Sequence, residues 1–270
     1  MCYPRCRREE RPAMKRKRRM TMKKTAAILL IICACVLLVA CGSTYNRYPD
    51  GRAYNAGECV ISGSVESIEL NWVAGKVNIE YTNGDEISLS EQADRNLSKE
   101  HKLHWRLDGK KLIIQFAASG SRYPGNLNKE LTVLLPESMR LTDLTVNSVS
   151  AVVDAQGVCT ENLRINSVSG NVKLADAQVR RVEFDTVSGN VEIAANEAPE
   201  RIDGDSVSGS VTICLPADAG FAVDVDSISG RVTGPEGMNG NGKTGYAYGD
   251  EQCRISINTV SGGVHLKHAK

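Results

Sequence analysis

Asn166-Ser167-Val168-Ser169-Gly170 is one of six near-copies of the same five letters in this 270-residue chain. Each copy has Asn or Asp, then Ser or Thr, then Val or Ile, then Ser, then a small residue. The copies begin at Asn147, Asn166, Asp185, Asp205, Asp226 and Asn258. Their starts are separated by 19, 19, 20, 21 and 32 residues. Such regular spacing predicts a stack of similar coils rather than a globular enzyme with scattered motifs.

Each five-residue corner lies between two short arms in which apolar and polar residues alternate. In the second copy, Leu163 and Ile165 precede the corner, and Val172 and Leu174 follow it. A period of two is typical of β-strands. One coil of about 20 residues buries too little apolar surface to offset the entropy of ordering it, so neighbouring coils must share a core. The predicted fold class is therefore all-β, a single-stranded β-solenoid of stacked ~20-residue coils.

The polar letters of the corner have a structural interpretation. Gly tolerates positive φ or a close approach, and Ser, Asn and Asp bond to nearby backbone. Coils about 4.8 Å apart place like residues above one another. The serines in the fourth position are therefore predicted to form an internal ladder of hydroxyls. They are Ser150, Ser169, Ser188, Ser208, Ser229 and Ser261.

Three copies carry an acid in the first position, namely Asp185, Asp205 and Asp226. Stacking in sequence order puts them on three successive coils, where ionised carboxylates repel and a cation or amine could relieve the repulsion. The other copies carry Asn, however, and the Gly-Asp nonapeptide of calcium-binding β-rolls is absent. We therefore predict no metal site and no cofactor, and retain the three acids as a candidate surface row.

Further segments complete the predicted β part. Residues 58–136 contain hairpin signals such as Asn83-Gly84 and Asp108-Gly109, and they are predicted to form an N-terminal β extension that caps the stack. The repeats occupy residues 141–268. Their longest gap contains residues 234–252, which are interpreted as an inserted, protruding loop rich in Gly and Asn.

Residues 1–40 are predicted to be a signal peptide of the lipoprotein type, with a start longer than such signals need. They hold 11 of the 33 Lys and Arg residues but only two of the 32 acids. Their uncharged run, residues 25–40, is short for a bilayer span of about 20 residues. The run ends in Leu38-Val39-Ala40-Cys41-Gly42, which resembles the bacterial lipobox. Cys41 is thus the predicted lipidated residue, and a plain membrane anchor is the alternative.

Residues 41–57 have no apolar period and several turn formers, which predicts a flexible tether. Beyond residue 40 the chain holds 22 basic and 30 acidic side chains, a net charge of −8 with His neutral. Nucleic-acid phosphates repel a domain this acidic, so nucleic acid is not an expected partner. The predicted location is the bacterial cell envelope outside the cytoplasm, with the lipid anchor in the membrane.

Four cysteines follow the predicted anchor, namely Cys59, Cys159, Cys214 and Cys253. They could form two disulfides in three alternative pairings, which sequence does not distinguish. Buried or strand-edge thiols are the simpler interpretation. Their spacing fits no zinc-ligand pattern.

The sequence contains no recognisable catalytic set, so we predict that the protein is not an enzyme. His101, His104, His265 and His268 fall in no metal-binding helix motif. Residues 237–244 satisfy the P-loop pattern, but the residues that follow have no helical apolar face, so no nucleotide site is predicted. The row of three acids leaves a glycan-active β-helix enzyme as a distant alternative.

Ile68-Glu69-Leu70-Asn71-Trp72 before Gly75-Lys76-Val77, with the serial Val-Ser-Gly corners, resembles a bacterial family of β-strand-repeat proteins labelled as adhesins of unknown function. The resemblance covers about residues 65–266. It implies a right-handed β-solenoid and supplies no catalytic residues. The expected function is non-catalytic binding, adhesion or scaffolding, with an envelope polysaccharide or a membrane protein as partner. Some family members are encoded with envelope-stress systems, so an accessory role in stress sensing is the alternative.

Overall fold

The computed structural model describes residues 47–122, 124–240 and 245–269. The regular secondary structure of these residues is β-strand, apart from one turn of 3-10 helix at Gly51–Ala53, and they contain no helix long and apolar enough to cross a bilayer. The strands are β1 Asn55–Ala56, β2 Cys59–Ile61, β3 Ser67–Trp72, β4 Gly75–Thr82, β5 Ile87–Ala93, β6 His104–Asp108, β7 Lys111–Gln115, β8 Lys129–Pro136, β9 Leu141–Ser148, β10 Val152–Gln156, β11 Cys159–Ser167, β12 Val172–Thr186, β13 Val191–Ala195, β14 Arg201–Ser206, β15 Val211–Leu215, β16 Phe221–Ser227, β17 Val232–Thr233, β18 Asn239–Gly240, β19 Gly245–Tyr248, β20 Cys253–Thr259 and β21 Val264–His268.

The strands form where apolar and polar residues alternate, as the sequence predicts. In β3 the side chains of Ile68, Leu70 and Trp72 are buried, whereas those between them are half-buried. Successive side chains of a strand point to opposite faces, so every second residue can enter the interior. The buried residues of all the long strands form one hydrophobic core.

All of these strands belong to one curled sheet, which has two parts that β12 joins. Sheet 1 has the order β1-β6-β7-β3-β9-β11-β12-β14-β20-β16-β19-β18. Sheet 2 has the order β2-β5-β8-β4-β10-β12-β13-β15-β21-β17. The first half of β12 pairs in sheet 2 and its second half pairs in sheet 1. Pairing is parallel through the middle of each sheet. It is antiparallel near both ends of sheet 1, and in sheet 2 only near the end that holds β2 and β5.

We call a strand of sheet 1, the corner after it and the next strand of sheet 2 a coil. Neighbouring coils are in register, so that Asn166 pairs with Asp185 and Ile165 pairs with Phe184. The 19 residues between these copies are therefore the length of one coil.

The coils at the C-terminal end do not follow the order of the sequence. The last repeat, β20–β21, lies between the coils β14–β15 and β16–β17. After β15 the chain forms the end coil β16–β17 and the hairpin β18–β19. It then returns, and β20–β21 fills the space between β14–β15 and β16–β17. The 32-residue spacing before Asn258 contains this return. As a result β21, the last strand of the chain, pairs with β15 on one side and with β17 on the other.

The N-terminal end shows a similar exchange. The pair β7–β8 lies outside β3–β4, and β3–β4 pairs with β9–β10 on its other side. The antiparallel strands β5 and β6 continue the two sheets beyond this end, followed by β2 and β1. The segment predicted as an extension therefore also supplies strand pairs to the stack itself.

The predicted tether, residues 41–57, is folded where the structure describes it. The backbone N–H of Tyr48 donates to Oγ of Ser119 at 3.0 Å, and the Tyr48 hydroxyl donates to the carbonyl oxygen of Ala117 at 3.0 Å. Burial raises the pKa of Tyr48 to about 12. The prediction of a flexible segment does not hold from Tyr48 onward, because a half-buried aromatic ring and its hydrogen bonds fix the chain. Residues 41–46 lie outside the described residues.

A buried ion pair, which the sequence does not reveal, joins the strands at the N-terminal end. Nζ of Lys129 lies 2.8 Å from Oε2 of Glu91, and both side chains are almost fully buried. The ammonium also donates to the carbonyl oxygens of His101 and Phe116, and it lies 4.8 Å from the ring centroid of Trp72. Burial lowers the pKa of Lys129 to about 8, although Glu91 opposes this shift. The amine therefore has an acceptor for each of its three protons.

Candidate functional site

The second residue of each corner closes the turn from inside. The hydroxyl of Ser167 donates to the carbonyl oxygen of Gly170 at 2.7 Å, and that of Thr186 donates to the carbonyl oxygen of Gly189 at 3.0 Å. The equivalent residues Ser148, Ser206 and Thr259 make the same bond. All five of these side chains are buried. The internal row of hydroxyls is therefore in the second position of the repeat.

The six serines of the fourth position lie outside, which corrects the predicted internal ladder. Each is exposed, and each hydroxyl donates to a backbone carbonyl of the neighbouring coil. Ser169, for example, donates to the carbonyl oxygen of Val149 at 3.2 Å. The reason is the bend at the third and fourth residues, which interrupts the alternation of the strand. The second and fifth residues therefore point inward, and the fourth points to solvent.

The fifth residue is Gly because neighbouring coils approach closely. A Cβ on Gly189 would lie 2.1 Å from the carbonyl oxygen of Gly170, and a Cβ on Gly209 would lie 2.0 Å from that of Gly189. None of the corner glycines has a positive φ. Close approach, and not a left-handed backbone, therefore explains the glycine.

The third residue of each corner gives an apolar row on the outside of the stack. In spatial order the row is Val73, Val149, Val168, Val187, Val207, Val260 and Ile228. Its members are half-buried, except that Ile228 at the end is 82% exposed. A neighbouring coil on both sides covers the others, and Ile228 has a coil on one side only.

The first residue forms a ladder of amides and acids along sheet 1. Its spatial order is Asn71, Asn147, Asn166, Asp185, Asp205, Asn258 and Asp226. Nδ2 of Asn166 donates to Oδ1 of Asn147 at 2.7 Å, and Nδ2 of Asn258 donates to Oδ1 of Asp205 at 2.7 Å. The predicted row of three adjacent acids is therefore interrupted, because Asn258 lies between Asp205 and Asp226.

Only Asp185 and Asp205 are neighbouring acids in this ladder. Burial, then the charges of Asp205 and Glu183, raise the pKa of Asp185 to about 6, and Arg164 opposes them. On its other side Asp185 meets Asn166, whose amide nitrogen is directed at Asn147. Asp185 is thus a carboxyl group that binds a proton near pH 6, well above the range of an ordinary aspartate, and is mostly ionised at pH 7.

A row of arginines crosses the outer face of sheet 1, and the sequence reasoning missed it. Arg181, Arg201 and Arg254 are in register on three neighbouring coils. The first two line a groove of about 640 Å³ together with Arg164. The register of the strands produces this row, and the only signal in the sequence is an Arg at a fixed distance before three of the corners. We call Arg164, Arg181, Arg201 and Arg254 together the arginine face.

Carboxylates neutralise the arginine face in part. Nη2 of Arg164 lies 2.6 Å from Glu183, Arg201 is paired with Asp203, and Nη2 of Arg181 lies 3.7 Å from Glu200. These side chains are about half exposed. Exposed ion pairs contribute little to stability and exchange readily with other partners.

The other candidate residues are dispersed. Within the described ranges, no group of three or more His, Cys, Asp and Glu could hold a metal ion. Each histidine ring has a different polar partner: His101 the carbonyl of Arg122, His104 that of Lys102, His265 the hydroxyl of Thr233 and His268 the carbonyl of Ala219. Cys59, Cys159, Cys214 and Cys253 are free thiols, and burial raises the pKa of Cys59 and Cys253 to about 12.

The predicted protruding loop, residues 234–252, contains two short strands. β18 pairs with β19, and β19 pairs antiparallel with residues 221–224 of β16. The strands stand where a P-loop would need a helix after its glycines. Cys41 and residues 241–244 lie outside the described residues.

The family model Toastrack DUF4097 matches residues 65–201 and 137–267 of this chain. No curated protein matches the chain significantly.

Two solved structures are among those that are similar to this chain. A proposed cell adhesion protein of Clostridium sporogenes is 18% identical, with a TM-score of 0.49, over 80% of this chain and 100% of its own. A proposed adhesin of Bacteroides fragilis is 12% identical, with a TM-score of 0.44, over 77% of this chain and 95% of its own.

Proposed function

The chain belongs to the Toastrack DUF4097 family, and from this premise we propose that it is a non-catalytic binding protein of the bacterial cell envelope. In this proposal the stacked coils are a right-handed, single-stranded β-solenoid. The parallel register of the repeats supports the solenoid, and the family resemblance supports its hand. The solenoid presents long, regular side-chain rows to a partner outside the cytoplasm.

The arginine face is the proposed binding surface, and the register of Arg181, Arg201 and Arg254 is the observation that carries the proposal. Guanidinium groups on neighbouring strands repel each other, and an anion placed across them relieves this repulsion. Coils are spaced at about 4.8 Å, so a row of three suits a linear polymer with repeated negative charges. The partner that fits is an acidic envelope polysaccharide.

Binding is tested by co-sedimentation of the full-length protein, in detergent, with an insoluble acidic envelope polysaccharide. Replacing Arg201 and Arg254 together by Ala should weaken binding at least tenfold, and added salt should weaken binding of the parent protein. The matched control replaces Arg47 and Arg52, exposed arginines outside the face, and should bind like the parent. Equal binding by both double variants would contradict the proposed surface.

The same incubation tests the enzymatic alternative. We expect the polysaccharide to keep its length, since Glu183 and Asp203 in the groove are held in ion pairs with Arg164 and Arg201. Newly formed reducing ends that disappear in Asp205→Asn would overturn the proposal in favour of a glycan-active enzyme.

The proposed anchor is lipid on Cys41, supported by the lipobox resemblance of residues 38–42. Cells that express the protein are labelled with a fatty acid analogue, and we expect the label on the parent chain. It should be lost in Cys41→Ala and kept in Cys59→Ala. Label that persists in Cys41→Ala would contradict the anchor and leave the binding proposal standing.

A further inference from the structure

The C-terminal end of the stack has an open backbone edge. Its end coil is β16–β17, and β17 pairs with β21 alone among the described strands. The hairpin strand β19 covers residues 221–224 of β16, but within the described part of the chain no strand covers residues 225–227 on that side. Unpaired edges of this kind are ready to accept another strand.

The apolar row ends at the same place. Ile228 is 82% exposed, whereas its equivalents in the interior coils are half-buried. The difference arises because a further coil covers each of those equivalents. A surface docked on the end coil would bury Ile228 in the same way, and removing such a side chain from water is favourable.

Two unpaired charges flank the corner symmetrically. Asp226 lies two residues before Ile228, and Arg231 lies two residues after Ser229. Both are exposed, and neither side chain has an ion-pair partner within 4.0 Å in the described part of the chain. The end coil therefore carries a negative charge on its β16 side and a positive charge on its β17 side.

We propose that the C-terminal end of one chain docks on the same end of a second copy of this chain. A two-fold axis through the Ile228–Ser229 corner places β16 of each copy antiparallel against β17 of the other. Asp226 of each copy then faces Arg231 of the other, and the two Ile228 side chains meet near the axis. A patch that complements itself in this way is what a two-fold dimer requires.

The opposite end lacks these features. The cation of β6 there, the half-buried Arg106, is already paired, at 3.2 Å from Asp50 and 3.4 Å from Asp108 of the same chain. β1 also pairs with residues 104–105 of β6. The edge of sheet 1 at the N-terminal end therefore differs from the C-terminal end coil, whose Asp226 and Arg231 have no ion-pair partner in the described part of the chain. The dimer joins two stacks end to end and presents two arginine faces, which would strengthen binding to a long polymer.

The test uses the full-length protein in its host membranes, with Ile228→Cys and a short thiol-reactive cross-linker. We expect a cross-linked species of twice the mass of the uncross-linked protein, well above the background of the parent chain. The matched control is Val152→Cys, which replaces an exposed side chain on an interior coil, and it should give no dimer above background.

Charge reversal in the Ile228→Cys background separates docking from chance collision. Asp226→Arg or Arg231→Asp alone should reduce the dimer at least tenfold, because like charges then face each other. The double variant restores opposite charges and should recover most of the dimer. Thermal unfolding of each variant confirms that it is folded.

The proposal would be overturned by any of three results. These are a yield no higher than that of Val152→Cys, single reversals that leave the dimer unchanged, or a cross-linked product whose mass shows a different protein.

Discussion

The fifth corner position shows how a single residue sets the distance between coils. The carbonyl oxygen of Gly170 occupies the place where a Cβ on Gly189 would lie. Neighbouring coils can hydrogen-bond at normal distances only because this side chain is missing.

We therefore expect Gly189→Ala to lower the free energy of unfolding by about 1–3 kcal/mol, since the extra methyl group forces the coils apart. Urea denaturation followed by circular dichroism measures the change. Ala151 occupies the equivalent position of the first corner, and Ala151→Gly should cost about 1 kcal/mol or less. An unchanged midpoint for Gly189→Ala would show that the close approach is not required.

Asp185 makes the stability of the stack depend on pH. Its folded-state pKa is raised from 3.8 to about 6, so between these values the folded chain binds a proton that the unfolded chain lacks. The free energy of unfolding therefore falls as pH rises from about 4 to about 6, and the destabilisation is complete above pH 6.

Asp185→Asn should remove this loss and stabilise the protein at pH 7 by about 1 kcal/mol, a figure discounted because the group is only half-buried. Its amide can also donate to the side chain of Asn166, as Asn166 does to Asn147. The reverse change, Asn166→Asp, adds a third neighbouring acid and should steepen the loss. Parallel pH–stability curves for parent and Asp185→Asn would refute this explanation.

At the scale of strands, the sequence predicts the interior well and the ends poorly. The alternation around Ile165 and Val172 fixes which side chains are buried, and the register of Asn166 with Asp185 follows from the 19-residue spacing. The repeats β16–β17 and β20–β21 have the same alternation of apolar and polar residues. The alternation therefore does not show which of them is the end coil. The alternation also does not show that the hydroxyl group at the second position of a corner points inward and that the hydroxyl group at the fourth position points outward.

The ion pair of Lys129 and Glu91 was also beyond prediction, because it depends on long-range packing of β8 against β5. We expect Lys129→Met to destabilise the protein by about 3–5 kcal/mol, since Glu91 is left buried without its counter-ion. Adding Glu91→Gln should recover much of this loss, because the amide can still accept the N–H of Leu103. Thermal unfolding compares the variants. Equal stability of the single variant and the parent would mean that the pair is not buried in solution.

At the scale of the whole molecule, the exchange of coils at the C-terminal end protects the last described strand, β21. β21 would have a free edge if the coils followed sequence order, whereas here β15 and β17 hold it on both sides. The end coil β16–β17 is instead internal to the sequence. Local unfolding that begins at the C-terminus therefore does not by itself release a coil from the end of the stack.

The order of the coils is the central claim, and one measurement tests it directly. Ser208 and Ser261 lie at corresponding corners of adjacent coils, at about 4.8 Å, which suits a disulfide. Ser208 and Ser229 belong to corners that are consecutive in the sequence. In the structure the coil that carries Ser261 lies between them, so they are about twice as far apart.

We therefore expect the double variant Ser208→Cys/Ser261→Cys of the full-length protein to form an intramolecular disulfide on mild oxidation. Ser208→Cys/Ser229→Cys should not. Mass analysis of non-reduced peptides distinguishes the two. A disulfide between positions 208 and 229, with none between 208 and 261, would contradict the exchanged order of the coils.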